Sequence, residues 1–120
     1  MKKIAIITNF WKHSPGGGVL TYIKGLVDEL ERRDFFVKII FREGIEQNNY
    51  QVKGSRFLFP FKAFKFLNEN RPDIVHSSGA WYCLLSGYIY KKLHGVRLIH
   101  TFHSAPDGKL PIFGRFLVQF

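Results

Sequence analysis

The sequence predicts an α/β fold, a Rossmann-like parallel sheet flanked by helices, and three observations carry that prediction. Short β-branched apolar runs recur at "KIAIIT", "FFVKIIF", "DIVHS" and "VRLIH"; apolar without strict alternation, they read as strands buried on both faces. Stretches with the periodicity of amphipathic helices separate them, and a strand, helix, strand order is the unit that builds parallel sheets. Glycine-rich or small polar residues follow three of the strands, where loops beyond the carboxyl ends gather ligands in such folds.

Taken in order, Lys3 to Thr8 is the first strand and ends at Asn9. From Val19, the apolar residues Val19, Tyr22, Ile23, Leu26, Val27 and Leu30 fall on one helical face, with Lys24, Asp28, Glu29, Glu31, Arg32 and Arg33 opposite. Phe35 to Phe41 returns to strand character, Glu43 to Gly54 reads as loop, and "YQVKGSRFLF" holds an irregular edge strand. A helix over Phe61 to Asn70 closes at Arg71-Pro72, because proline disfavours helical geometry in the residue before it. Asp73 to Ser77 is the next strand. The helix after it, Ala80 to Leu93, is expected to bury Trp81, Leu84, Leu85, Tyr88 and Ile89. It carries Lys91 and Lys92 in its last turn, where the macrodipole favours cations, and stops at His94-Gly95. Val96 to Ser104 is the last strand. Beyond it, Pro111 suits a first helical position, and Ile112, Phe113, Phe116, Leu117 and Phe120 form an apolar face still growing at the final residue. That pattern predicts a helix cut in its second or third turn, in a chain that is a fragment.

At 120 residues the chain is expected to be a single domain spanning 1–120, with enough surface to bury a genuine core. Apolar residues make up 46% and charged residues 22%, which excludes a disordered chain, and no apolar run reaches the ~18 residues of a membrane span. Met1-Lys2-Lys3 has the charge of a signal peptide, but Ile4 to Thr8 is too short for its apolar region, so a cytoplasmic protein is expected. The one cysteine, Cys83, lies beside Leu84 and Leu85 and reads as a packed thiol. The net charge of +9 draws the chain to phosphates, whether on nucleotides, nucleic acid or lipid headgroups. Aromatic content of 17% tilts that choice towards partly apolar surfaces.

The stretch "SPGGGVLTY" places Gly16, Gly17 and Gly18 between the first strand and the first helix. Their amides, with those of the first helical turn, make a concavity suited to a phosphate or to the polar groups of a sugar. A serine or aspartate cap would occupy those donors, whereas glycine leaves them to a ligand. Neither a Walker loop nor G-x-G-x-x-G is present, and a plain flexible turn is the competing reading. His76 and His103 fall at or near strand ends on the side of this corner, which makes both candidates, with Ser104 beside His103. For His76 a purely structural role competes. His100 and His103 look like a metal pair, but three residues along a strand put two rings on opposite faces, so no metal site is expected and His100 reads as a hydrogen-bonded core residue. His13 reads as solvated and His94 as a helix-terminal cation.

"KGSRFLFPFKAFKFLNEN" interleaves Lys53, Arg56, Lys62 and Lys65 with five phenylalanines and meets no acid before Glu69. Two accounts compete. Phe61, Phe64, Lys65 and Leu67 could pack one helix face on the sheet. Alternatively Arg56, Lys62 and Lys65 meet an anionic membrane surface, with the rings at the acyl boundary. No RNA-binding signature accompanies the aromatics, so no specific nucleic acid is expected.

"KIAIIT" followed by "PGGGV", then "RPDIVHSSGAW" and "LIHTFHSAP", resembles in order and approximate spacing the N-terminal domain of GT4-type glycosyltransferases, the retaining family with the GT-B fold. The resemblance implies a two-domain enzyme that moves a sugar from a nucleoside-diphosphate sugar to an acceptor, with no cofactor and no essential metal. It implies that Gly16, Gly17 and Gly18 approach the donor diphosphate and the reacting sugar, and that His103 borders the sugar at the reaction centre. Leu20 stands where the family often has glutamate, and Ser78 where it often has a second histidine.

The expected function is therefore transfer, with retention, to a lipid-linked or cell-envelope glycan acceptor at the cytoplasmic face, as a protein peripheral to the membrane. The family's nucleotide-binding C-terminal domain would come in cis or from a partner chain, and the 120 residues alone are expected to be inactive. The alternative is a stand-alone module that binds a phosphorylated ligand without catalysis.

Overall fold

The computed structural model describes residues 2–11, 17–43, 50–52, 55, 57–79, 81–102 and 116–119. Along the chain run β1 (Lys3–Phe10), α1 (Gly17–Arg32), β2 (Phe36–Glu43), β3 (Tyr50–Gln51), α2 (Phe59–Asn70), β4 (Ile74–Ser78), α3 (Trp81–His94), β5 (Arg97–Phe102) and β6 (Phe116–Gln119). The strands form one sheet in the order β3-β2-β1-β4-β5-β6, parallel through β5 and antiparallel at β6. This is the predicted Rossmann-like α/β architecture, with the expected edge strand reduced to the two residues of β3. The register sets Ile6 of β1 opposite Ile39 of β2 and His76 of β4, and His76 in turn opposite Ile99 of β5.

Strand β1 is central, and Ile4 to Thr8 are all buried, as an uninterrupted apolar run requires. Alternation sends Ile6, Ile39 and Phe41 to one face, where Trp11 and α1 residues Ile23 and Val27 complete a core cluster. Ala5, Ile7, Ile40, Val75 and Leu98 point the other way, against Phe59, Ala63 and Leu67 of α2 and Tyr82, Cys83 and Tyr90 of α3. Cys83 is fully buried among them, and desolvation pushes its thiol far above the ordinary range, so it is the packed thiol expected.

Helix α2 ends at Asn70 as predicted, by a left-handed Arg71 (φ 51°) whose N–H donates to the Leu67 carbonyl. Its buried positions are Pro60 and, spaced by four, Phe59, Ala63 and Leu67, so Phe61 and Lys65, expected in the core under the first account of this segment, are exposed instead. At the end of α3, Gly95 (φ 70°) takes the left-handed turn and donates to the Lys91 carbonyl.

Two expectations are corrected. The residues of α3 buried on the sheet are Tyr82, Cys83, Ser86, Gly87 and Tyr90; of those expected there, Leu84 packs half-buried against that core and Ile89 is half-buried, while Trp81, Leu85 and Tyr88 are exposed. The reason is a close approach: a Cβ on Gly87 would lie 2.7 Å from Leu98 Cδ1 and 3.1 Å from Val75 Cγ1. Small residues let the helix axis sit low on the strands, and Trp81, Leu85 and Tyr88 are turned to the outside.

The second concerns the C-terminal stretch. Phe116 to Gln119 is a strand rather than a helix, pairing residues Phe116, Leu117, Val118 and Gln119 with Phe102, Thr101, His100 and Ile99. Backbone groups along the outer edge of β5 would otherwise lack partners, and a β-prone "FLVQ" supplies them. Residues 111–115 of the expected helix lie outside the described residues.

Candidate functional site

In a parallel sheet with helical crossovers every helix starts at the carboxyl rim of the strands. Helix α1 begins at Gly17, two residues earlier than its apolar periodicity alone indicated, so Gly17 and Gly18 belong to its first turn. The first four N–H groups of a helix have no acceptor within it, and no acidic residue stands in this first turn. Where this start sits is fixed one turn further on: the Tyr22 hydroxyl lies 3.4 Å from Thr101 Oγ1, near the carboxyl end of β5. Gly18 stands four residues before Tyr22, about 6 Å nearer the rim by helical rise. The first turn of α1 therefore projects past the ends of the strands, its positive dipole end leading.

His76 does not sit at the mouth of the sheet. It lies within β4, 5% exposed, and its Nε2 is 2.8 Å from Thr101 Oγ1. Tyr22, Thr101 and His76 thus form a continuous polar chain from α1 across β5 to β4. The ring also lines an apolar hollow of about 300 Å³ between α1 and the strands, with Leu26, Leu30, Ile74 and Ile99. Its contact with a ligand at the rim would pass through Thr101, which makes it a positioning group in this geometry. Tyr22 and Thr101 were not singled out by sequence. The signal available was a tyrosine on an apolar helical face, whose hydroxyl needs a buried partner.

On the opposite face of the sheet, Ser77 Oγ and His100 Nδ1 lie 2.6 Å apart, both side chains fully buried. His100 is the hydrogen-bonded core residue expected. Burial holds its imidazole below the usual value of 6.5, against a weaker opposite pull from a hydrogen bond with the Gly79 backbone. The neutral ring is therefore built into the fold. Its share of stability is complete above the unfolded pKa and is lost as pH falls through the lower folded one. Thermal melts between about pH 7.5 and pH 5.5 should show the midpoint falling on the acid side. His100→Asn, which cannot titrate there, should flatten that limb, and an unchanged slope would assign the acid sensitivity to another group.

Further along that face the Tyr82 hydroxyl donates to Asn9 Oδ1 at 2.6 Å, and the Arg42 guanidinium stands 5.9 Å from the Tyr82 ring centroid. These are polar groups near the carboxyl rim on the side of α2 and α3. Among the described residues no group of three or more His, Cys, Asp or Glu could hold a metal ion. No described helix is long and apolar enough to cross a membrane. Gly16, Arg56, His103 and Ser104 lie outside the described residues, as does His13. Lys62 and Lys65 are exposed on α2.

The geometry has counterparts among solved structures. MurG of Acinetobacter baumannii superposes on 82% of this chain with a TM-score of 0.61 at 16% identity. The UDP-GlcNAc 2-epimerase of Methanocaldococcus jannaschii covers 91% with a TM-score of 0.63, also at 16% identity. Both likenesses are of fold, and the chain spans 34% of the length of each of those proteins. No curated protein sequence matches the chain. The sequence profile of Glycosyltransferase Family 4 does match, over residues 16–119, from the glycine corner through β6. With a parallel α/β sheet, a glycine-led α1 and a family profile that spans nearly all of it, this chain belongs to glycosyltransferase family 4.

Proposed function

We propose that the chain is the acceptor-side domain of a glycosyltransferase that moves a sugar from a nucleoside-diphosphate sugar to a lipid-linked or cell-envelope glycan, with retention at the anomeric carbon. The observation that carries this reading is the start of α1, held at the carboxyl rim by Tyr22 against Thr101. As the glycosidic bond to the diphosphate breaks, negative charge grows on the leaving phosphate and positive charge on the sugar. Amides of Gly17 and Gly18, already oriented along the helix dipole, stabilise the first without reorganising, and Gly16 joins them in this reading. His103 and Ser104 stand beside the sugar in this reading, and an imidazole there offers a polar partner to the oxocarbenium-like ring. His76 keeps Thr101, and through it α1, in place.

A second domain supplies the grip on the nucleotide, so the substrate lies between this rim and residues outside these 120. The protein works on the cytoplasmic side of a membrane and requires no cofactor. One of its fold relatives is, by name, an epimerase of UDP-GlcNAc, which makes UDP sugars the first donors to try. The test is a panel of UDP, GDP and ADP sugars offered to the complete polypeptide with a membrane extract as acceptor. Release of nucleoside diphosphate and matching incorporation of sugar are expected with at least one donor, and the product should keep the donor's anomeric configuration. Binding of a sugar nucleotide with neither release nor incorporation would replace this reading with a non-catalytic phospho-ligand module.

A further inference from the structure

The α2 and α3 side of the rim exposes what a core would normally hide. Phe57, Leu58 and Phe61 at the start of α2 are 65%, 51% and 70% exposed, and Trp81, the first residue of α3, is 51% exposed. The local backbone explains why they cannot turn inward. Ser55 Oγ accepts from the N–H groups of Phe57 and Leu58, and the Ser55 carbonyl accepts from Leu58 and Phe59. This turn leads into α2 with Phe59 in the core position, leaving Phe57, Leu58 and Phe61 outside. On α3, the low seat made by Gly87 sends Trp81 and Leu85 outward. The two helices meet there, with the Phe57 and Trp81 ring centroids 5.9 Å apart.

The charge around this tip has one sign. Neither α2 nor α3 has an acidic residue in its first turn, and α3 has none along its length. Lys62 and Lys65 follow on α2, while Lys91 and Lys92 stand in the last turn of α3, about 15 Å along the helix from Trp81, with Lys92 Nζ 5.7 Å from the ring of the exposed Tyr88. Glu69, the single acid of α2, lies two turns beyond Phe61. Exposed aromatic tips backed by lysines, on a chain of net charge +9, match a surface that is anionic outside and apolar a few ångströms in.

We propose that the paired N-terminal turns of α2 and α3 dock on an anionic lipid bilayer, Phe57, Leu58, Phe61 and Trp81 entering the headgroup region and Lys62 and Lys65 meeting lipid phosphates. The sequence suggested a basic aromatic helix; the fold replaces it with a two-helix tip that includes Trp81 and leaves out Phe59. Because both helices start at the carboxyl rim, docking turns the rim that carries the α1 site towards the bilayer, where a lipid-linked acceptor would be presented.

The tryptophans provide the readout, since Trp11 is 2% exposed and silent to the surroundings while Trp81 is open. Sedimentation of the full chain with phosphatidylglycerol and phosphatidylcholine vesicles should show binding, with a blue shift of the exposed tryptophan, and little with phosphatidylcholine alone. Lys62→Glu with Lys65→Glu should weaken partitioning about tenfold or more. Phe61→Ser should weaken it too, and Trp81→Phe should keep binding while losing the blue shift, with circular dichroism unchanged in each. Binding that ignores anionic lipid content or survives both sets of substitutions would overturn the proposal. So would displacement from vesicles by tRNA without dependence on Phe61, which would assign the patch to nucleic acid, or self-association lost with Phe61→Ser, which would assign it to a second copy. The proposal is independent of the transfer reaction: vesicle binding without any sugar transfer supports it, and transfer by a protein that ignores vesicles removes it alone.

Discussion

Gly87→Val should lower the unfolding free energy by about 2 kcal/mol and the melting midpoint by roughly 8 °C. Valine is a better helix former than glycine by a few tenths of a kcal/mol, so propensity alone predicts a small gain. Packing outweighs it. Even a bare Cβ would come within 2.7 Å of Leu98 Cδ1, and a branched side chain adds two more carbons in the same place. Leu98 and Val75 are fully buried and held by strand pairing, so neither can withdraw without opening the contact between α3 and the sheet. The clashing atom also suggests its own rescue. Leu98→Val removes the nearer methyl group, so Gly87→Ala combined with Leu98→Val should cost less than the two substitutions summed. Denaturant melts of the four proteins measure this, and a Gly87→Val chain with an unchanged midpoint would mean that α3 does not sit so low.

The same contact explains where the sequence was legible and where it was not. Strand β1, helix α1 and the alternating order of elements follow from local pattern, because β-branched runs and helical periodicity report on backbone geometry directly. The facing of α3 does not. Its largest apolar residues and its glycine compete for the sheet, and the distance between layers decides the outcome, a quantity that no single segment contains. Phe61 was misplaced for a related reason. Five phenylalanines in ten residues exceed what one helical face can bury, and the turn at Ser55 leads into a helix that buries Phe59 with Ala63 and Leu67.

Strand β6 escaped because "RFLVQF" is short and apolar, which suits either a helix face or a strand, and only the open edge of β5 settles it. The start of α1 next to the glycines could be read from spacing. The Tyr22, Thr101 and His76 chain could not, since residues 22, 76 and 101 meet only through the crossover topology.

His103→Ala in the complete enzyme should lower turnover by on the order of 100-fold while leaving the melting midpoint within roughly 2 °C of the parent. His103 lies outside the described residues, and the expectation rests on the proposed function, in which its imidazole borders the sugar. Thr101 faces α1, where it meets Tyr22, and His100 faces the other layer, where it meets Ser77. His76→Ala provides the contrast. Its ring is buried and bonded to Thr101, so its loss leaves a cavity and an unsatisfied hydroxyl and should cost stability as well as rate. Turnover and melting midpoint measured on both variants separate a group that meets the sugar from one that holds the scaffold. If His103→Ala turns over normally, the proposed transfer does not use this imidazole. If it instead melts with His76→Ala, the imidazole at position 103 is a packing residue and the α1 corner loses its side-chain partner.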